Sequence, residues 1–146
     1  MLLNYNNIVA ATDFSKIGDN AVRQAGDLAK LLNVSLTILH VVEHFPEGIT
    51  EDMIPPENLD PQHFLKQQSQ AELEKLRRRL LLKDAIVEVL VSRYAAGREI
   101  ASFARKKKMD LIVIGTHGDQ GVLDRMGSTA NAIMHDARSD VLLVRL

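Results

Sequence analysis

Apolar residues along this chain fall into two kinds of run. Ile8 to Ala11 and Leu111 to Ile114 are nearly continuous in hydrophobicity, as expected of central strands covered by helices on both faces. Ser35 to Val42 and Ile86 to Val91 are rich in β-branched and aliphatic residues, and Val141 to Leu146 supplies a fifth strand. Between the first two strands, Ile17, Ala21, Ala25, Leu28, Ala29 and Leu32 recur at helical spacing, with Ser15 placed to cap the helix. Pro61 to Leu82 carries Leu65, Leu73, Leu76 and Leu80 among Gln, Glu, Lys and Arg, and a proline near its start suits a longer second helix. Ile100, Phe103 and Ala104 mark a third helix; Ala130, Ile133, Met134 and Ala137 mark a fourth.

Strand and helix alternate throughout, so the pattern predicts an α/β fold with a largely parallel sheet and right-handed crossovers. His44 to Asp60 breaks the pattern with Pro46, Gly48, Pro55, Pro56, acidic residues and no clear period. It would leave the carboxyl end of the second strand, on the rim where open parallel sheets bind ligands. A lid and a loosely ordered surface excursion are both open readings. No repeat, low-complexity tract or linker divides the chain, so residues 1–146 read as one domain.

Composition narrows the classes. An apolar fraction of 46% with 25% charged residues is ordinary for a soluble globular protein. A net charge of −1 provides no overall basic field for nucleic acid or for an anionic membrane. The absence of cysteine removes disulfides, thiolate metal sites and cysteine nucleophiles together. The N-terminus lacks the basic flank and long apolar run of a signal peptide, and no stretch approaches the roughly 20 apolar residues that span a bilayer. A cytoplasmic location is expected.

Candidate chemistry concentrates in Asp110-Leu-Ile-Val-Ile-Gly-Thr-His-Gly118 and Gly127-Ser-Thr-Ala-Asn-Ala-Ile-Met-His135. An apolar strand running into close glycines, with a further Gly-Ser-Thr opening a helix, presents backbone N–H groups to an anion. Gly115, Gly118 and Gly127 permit positive φ and close backbone approach, while Ser128 and Thr129 add hydroxyl donors. Neither G-x-x-x-x-G-K-[ST] nor G-x-G-x-x-G occurs, so neither a P-loop lysine nor a dinucleotide fingerprint is supported. Asp13, between the first strand and first helix, would contact ribose hydroxyls or a metal-bound phosphate, or else cap the helix with Ser15. His117 sits inside the glycine loop as a ligand contact or packing residue. His40, His44, His63 and His135 form no metal-ligand spacing and read mostly as ordinary strand, loop or helix residues. Arg105-Lys-Lys-Lys108 suits a helix C-terminus, and no aromatic platform accompanies it for nucleic acid. Arg77-Arg-Arg79 reads as a solvated helix face.

From end to end the chain resembles the universal stress protein family. In that family Gly-x2-Gly, nine further residues and Gly-Ser/Thr together hold the phosphates of ATP. Gly115 and Gly118 match the first spacing and Gly127-Ser128 the last, with eight residues, Asp119 to Met126, between them. Ile8-Val-Ala-Ala-Thr-Asp13-Phe-Ser15 resembles the family's first strand and acidic nucleotide contact. Val41 falls where family members grip adenine through the backbone.

The resemblance implies a five-stranded parallel sheet of order 3-2-1-4-5 in a Rossmann-like, HUP-type α/β/α sandwich. It assigns Ala11, Thr12, Asp13, Val41, Gly115, His117, Gly118, Gly127, Ser128 and Thr129 to an ATP site that also admits ADP or AMP. Mg2+ would arrive with the nucleotide and meet Asp13. The implied function is a non-catalytic, nucleotide-responsive module of the stress response, dimeric through Val141 to Leu146. The short spacer, with Asp119 and Asp124 against Arg125, supports an alternative: an interaction protein of the same fold with a degenerate pocket. A slow ATPase is a further alternative, although no motif residue is an evident water-activating base. For a flavodoxin-like electron carrier, the absence of tryptophan and a total of two tyrosines leave little aromatic support for a flavin.

Overall fold

The computed structural model describes residues 3–43, 60–117 and 126–145. In chain order the elements are β1 (Asn7–Ala11), α1 (Lys16–Leu32), β2 (Ser35–Glu43), α2 (Pro61–Arg79), β3 (Ile86–Ser92), α3 (Ala96–Lys106), β4 (Leu111–Gly115), α4 (Ser128–Asp136) and β5 (Asp140–Val144). All strand pairs are parallel, and the sheet order is β3-β2-β1-β4-β5. This is the order the resemblance implied, with β1 at the centre and β4 beside it.

Side chains alternate across the sheet. Ile8, Ala10, Ile38, Leu111 and Val113 join Ala21, Val22 and Ala25 of α1 and Leu73 and Leu76 of α2 in one buried cluster. Val9, Ala11, Leu39, Ile112 and Ile114 join Ile100, Phe103 and Ala104 of α3 and Ala130 and Ile133 of α4 in the other. The unbroken apolar runs of β1 and β4 are therefore two interleaved half-cores, one residue of each pair per face.

Local chemistry sets the helix ends. Ser15 is extended, and its hydroxyl accepts from the Gly18 N–H at 3.1 Å to open α1; Asn33, at φ 55°, closes it in the left-handed region. Asp60 caps α2 by accepting from the Gln62 N–H, with Pro61 in the first turn. Apart from Asp60, the expected His44–Asp60 loop lies outside the described residues.

The second helix stops at Arg79 rather than at the expected Leu82, because Leu80 is its C-cap and Leu81 turns to φ 56°. Leu82 is nevertheless buried, against Gly26 of α1, where a Cβ would come within 2.5 Å of Leu82 Cδ2. The apolar period continues past the helix because the following turn feeds the same core layer.

Candidate functional site

At the carboxyl ends of β1, β2 and β4 lies a cavity of about 550 Å³, within the range of small-molecule sites. Ala11, Thr12 and Asp13 enter it from β1, Val41 from β2, and Gly115 with His117 from β4. Gly127, Ser128 and Thr129 close it from the start of α4. Gly118 lies outside the described residues. Ala96, Ile100, Ile114 and Ala130 add an apolar wall, and Gly18 and His40 also line the cavity.

The β1–α1 turn is closely bonded. Thr12 Oγ1 donates to Asp19 Oδ1 at 2.9 Å and accepts from the Phe14 N–H at 3.0 Å. Its one proton is thus committed to α1. Asp13 Oδ1 accepts from the Ser15 N–H at 3.0 Å while the residue stays exposed, so its carboxylate shapes the helix start and still faces solvent at the cavity. Phe14 adopts φ 66°, a left-handed conformation costing a residue with a Cβ roughly 1–2 kcal/mol. Gly18 lets the turn fold onto α1, since a Cβ there would lie 2.7 Å from Thr12 Oγ1.

On the β4 side, the glycines answer a need for space. Gly127 is extended at φ −66°, and a Cβ on it would lie 3.1 Å from His117 Cα. A Cβ on Gly115 would lie 3.2 Å from Ile17 Cγ2. Neither adopts the positive φ that the glycine pattern allowed; at both, close approach leaves room for a Cβ only if the neighbour gives by a few tenths of an ångström.

The Gly127 N–H donates to the Thr116 carbonyl at 2.6 Å, and the Thr116 N–H donates to the Val144 carbonyl at 3.0 Å. The first turn of α4 closes with the Asn131 N–H on the Gly127 carbonyl at 2.9 Å. Helical geometry therefore leaves the N–H groups of Ser128, Thr129 and Ala130 without intrahelical acceptors, at the positive end of the dipole. With Ser128 and Thr129 exposed, these groups have the arrangement that an anion at a helix N-terminus requires. His117 Nδ1 is 3.0 Å from Thr116 Oγ1.

His40 is the polar group that sequence reading missed. Its Nδ1 lies 2.8 Å from the Thr12 carbonyl oxygen. That oxygen only accepts, so Nδ1 carries the proton and, in the neutral ring, Nε2 keeps its lone pair. Burial pushes His40 below the ordinary imidazole range, opposed by the Thr12 hydrogen bond and the Asp13 carboxylate. The unfolded chain therefore takes up the proton first. His40's contribution to stability is complete above its unfolded value near 6.5 and drains away as pH falls through it toward the folded pKa.

Among the described lining residues there is no lysine or arginine, and Asp13 is the one carboxylate. The described residues contain no cluster of three or more His, Cys, Asp or Glu side chains fit to hold a metal ion. Were a divalent ion to arrive with a phosphorylated ligand, Asp13 is the carboxylate among the described lining residues that could meet it. No helix among the described residues is long and apolar enough to cross a membrane.

Comparison with known proteins bears on the family and the fold. The family model described as "Universal stress protein family" matches residues 4–145. Universal stress protein A homolog 1 of Coxiella burnetii is 30% identical over 142 residues, covering 97% of each chain. The crystal structure of a universal stress protein in complex with cAMP superposes with a TM-score of 0.71 at 24% identity, covering 96% of this chain and 97% of that one. The universal stress protein from Archaeoglobus fulgidus in complex with dAMP superposes with a TM-score of 0.65 at 20% identity, covering 98% and 99%. With a family match spanning nearly its whole length and the sheet order expected of it, this chain belongs to the universal stress protein family.

Proposed function

We propose that the chain, as one domain over residues 1–146, is a cytoplasmic stress-response module that binds an adenine nucleotide, ATP with Mg2+ or its ADP and AMP relatives, without turning it over. The observation that carries this reading is the meeting, in one cavity, of the α4 terminus at Ser128, Thr129 and Ala130 with Asp13 and the β2 backbone at Val41. Phosphate suits the first, ribose hydroxyls the second, and an adenine edge the third. The structures with cAMP and dAMP bound support the same ligand class in proteins of this fold. Titration of stripped, refolded protein with ATP, ADP and AMP, with and without Mg2+, should give saturable micromolar binding by calorimetry. Gly127→Val should weaken it at least tenfold, a loss of about 1.4 kcal/mol. No heat of binding with any of the three nucleotides would sink the proposal.

A second reading keeps the fold but makes the cavity vestigial, leaving an interaction protein. It is favoured by the lack of a lysine or arginine among the described lining residues and by the internal use of the Gly127 N–H. Both readings include a homodimer through the last strand. Among the described residues β5 pairs only with β4, and Leu142 on it is 39% exposed, so a two-fold mate would satisfy that edge. Light scattering at micromolar concentration should report twice the chain mass, and Leu142→Asp should shift the protein toward the monomer. A wild-type monomer under these conditions would rule the dimer out.

A further inference from the structure

His40 lies on the cavity wall, yet its bonding is directed at the main chain of a neighbouring element. From β2 its Nδ1 reaches the Thr12 carbonyl at 2.8 Å, and its ring centroid lies 4.4 Å from that of Phe14. Thr12 and Phe14 are the two neighbours of Asp13. The imidazole therefore grips the turn on both sides of the one carboxylate among the described lining residues.

The other bonds of the turn leave this task undone. Phe14 N–H to Thr12 Oγ1 and Ser15 N–H to Asp13 Oδ1 fix the turn's internal shape. Anchorage to the sheet comes from β2, where the Leu39 carbonyl takes the Thr12 N–H at 3.0 Å and His40 takes the Thr12 carbonyl. The next residue of β2, Val41, is itself part of the wall. Leu39 and His40 thus tie the main chain beside Asp13 to the strand whose next residue lines the cavity. Phe14 also holds a costly left-handed conformation, and its ring meets that of His40 at a tilt of 34°. The charged group acting on the imidazole is Asp13 of the turn, and from the β4 side His117 lines the same cavity.

We propose that His40 is a positioning residue of this site, clamping Thr12 and Phe14 so that the Asp13 carboxylate is presented to the ribose of a bound nucleotide. The proposal rests on the nucleotide reading above. It makes a requirement of geometry: a donor at the Nδ1 position is needed, and a titrating ring is not. The amide nitrogen of asparagine falls near Nδ1, that of glutamine near Nε2, and leucine offers no donor.

The test is calorimetric titration of ATP in the presence of Mg2+ into wild type, H40N, H40Q, H40L, D13A and the D13A/H40L double variant. H40N should bind within threefold of wild type, whereas H40Q and H40L should bind at least tenfold more weakly. In the D13A background, H40L should add less than a twofold further loss, because the clamp acts through the carboxylate that is gone. If H40L fails to fold, the contrast between H40N and H40Q carries the same decision. Equal affinity of H40L or H40Q and wild type would overturn the clamp while leaving the nucleotide reading intact. So would a full tenfold loss from H40L on top of D13A, which would mark His40 as acting independently of Asp13. Absence of binding by wild type would overturn the nucleotide reading and the clamp with it.

Discussion

Replacing Gly97 by valine should destabilise the protein by about 1–3 kcal/mol and abolish nucleotide binding. A Cβ at this position in α3 would lie 2.7 Å from the Thr129 carbonyl oxygen and 2.8 Å from Ala132 Cβ. The first of these atoms is main chain, so no side-chain rotation relieves the clash and α4 itself must move. Thr129 belongs to the turn of α4 that closes the cavity. Pushing it outward displaces the N–H groups of Ser128, Thr129 and Ala130 from any phosphate placed against them. Alanine carries the same Cβ and should show a milder version of both losses. Urea denaturation and calorimetric titration read the two effects separately. An unchanged midpoint with unchanged affinity would mean that the helices part at no cost.

Ile112→Ala should cost about 2–5 kcal/mol. Ile112 is fully buried in the cluster beneath α3 and α4, and β4 pairs with a strand on either side, through Val9 and Val141. Strands held on both edges cannot close over the space that the lost side chain leaves, so the cavity term should persist. Leu31→Ala is the matched control: Leu31 is 80% exposed on α1, and its loss should stay within about 0.5 kcal/mol of wild type. Urea midpoints with unchanged slopes test the pair. A loss below 1 kcal/mol at Ile112 would show that the layer repacks freely.

Much of the architecture was legible because local pattern and tertiary burial agree. The apolar runs of β1 and β4 announce strands covered on both faces, and Ser15 announces the start of α1 by chemistry confined to one turn. The strand order came from the family resemblance; periodicity alone is silent about which strands neighbour one another. What escaped depends on contacts between distant residues. The Ala96 N–H at the start of α3 donates to Glu43 Oε1 at 3.0 Å, a cap supplied by the end of another strand, so Ile100 and Phe103 marked the helix without fixing its first residue.

His40 looked like any strand histidine, since its partner is a carbonyl on the neighbouring strand's exit. Thr12 was placed at the cavity, but nothing local foretold that its hydroxyl would be occupied by Asp19 and Phe14. Gly18 carried the one overlooked local signal, a glycine in the first turn of an otherwise strong helix, just before the acidic Asp19. Of the two reasons the pattern offered for the glycines of the β4–α4 segment, positive φ and close approach, Gly115 and Gly127 show the second and not the first. Only three-dimensional placement distinguishes a glycine whose dihedral is the point from one where Ile17 or His117 leaves little room for a Cβ.

The donors at the start of α4 are main-chain groups, and main-chain N–H groups are the part of a protein that point mutation almost never deletes. Substitution can reach them only indirectly, by filling the space in front of them or by moving the helix that carries them. A site made this way tolerates drift at most of its side chains and is guarded by a few positions where having no side chain is the requirement. On the proposed reading, a sequence 30% identical to this one could differ at about two residues in three and keep such a cradle, provided that these empty positions stay empty.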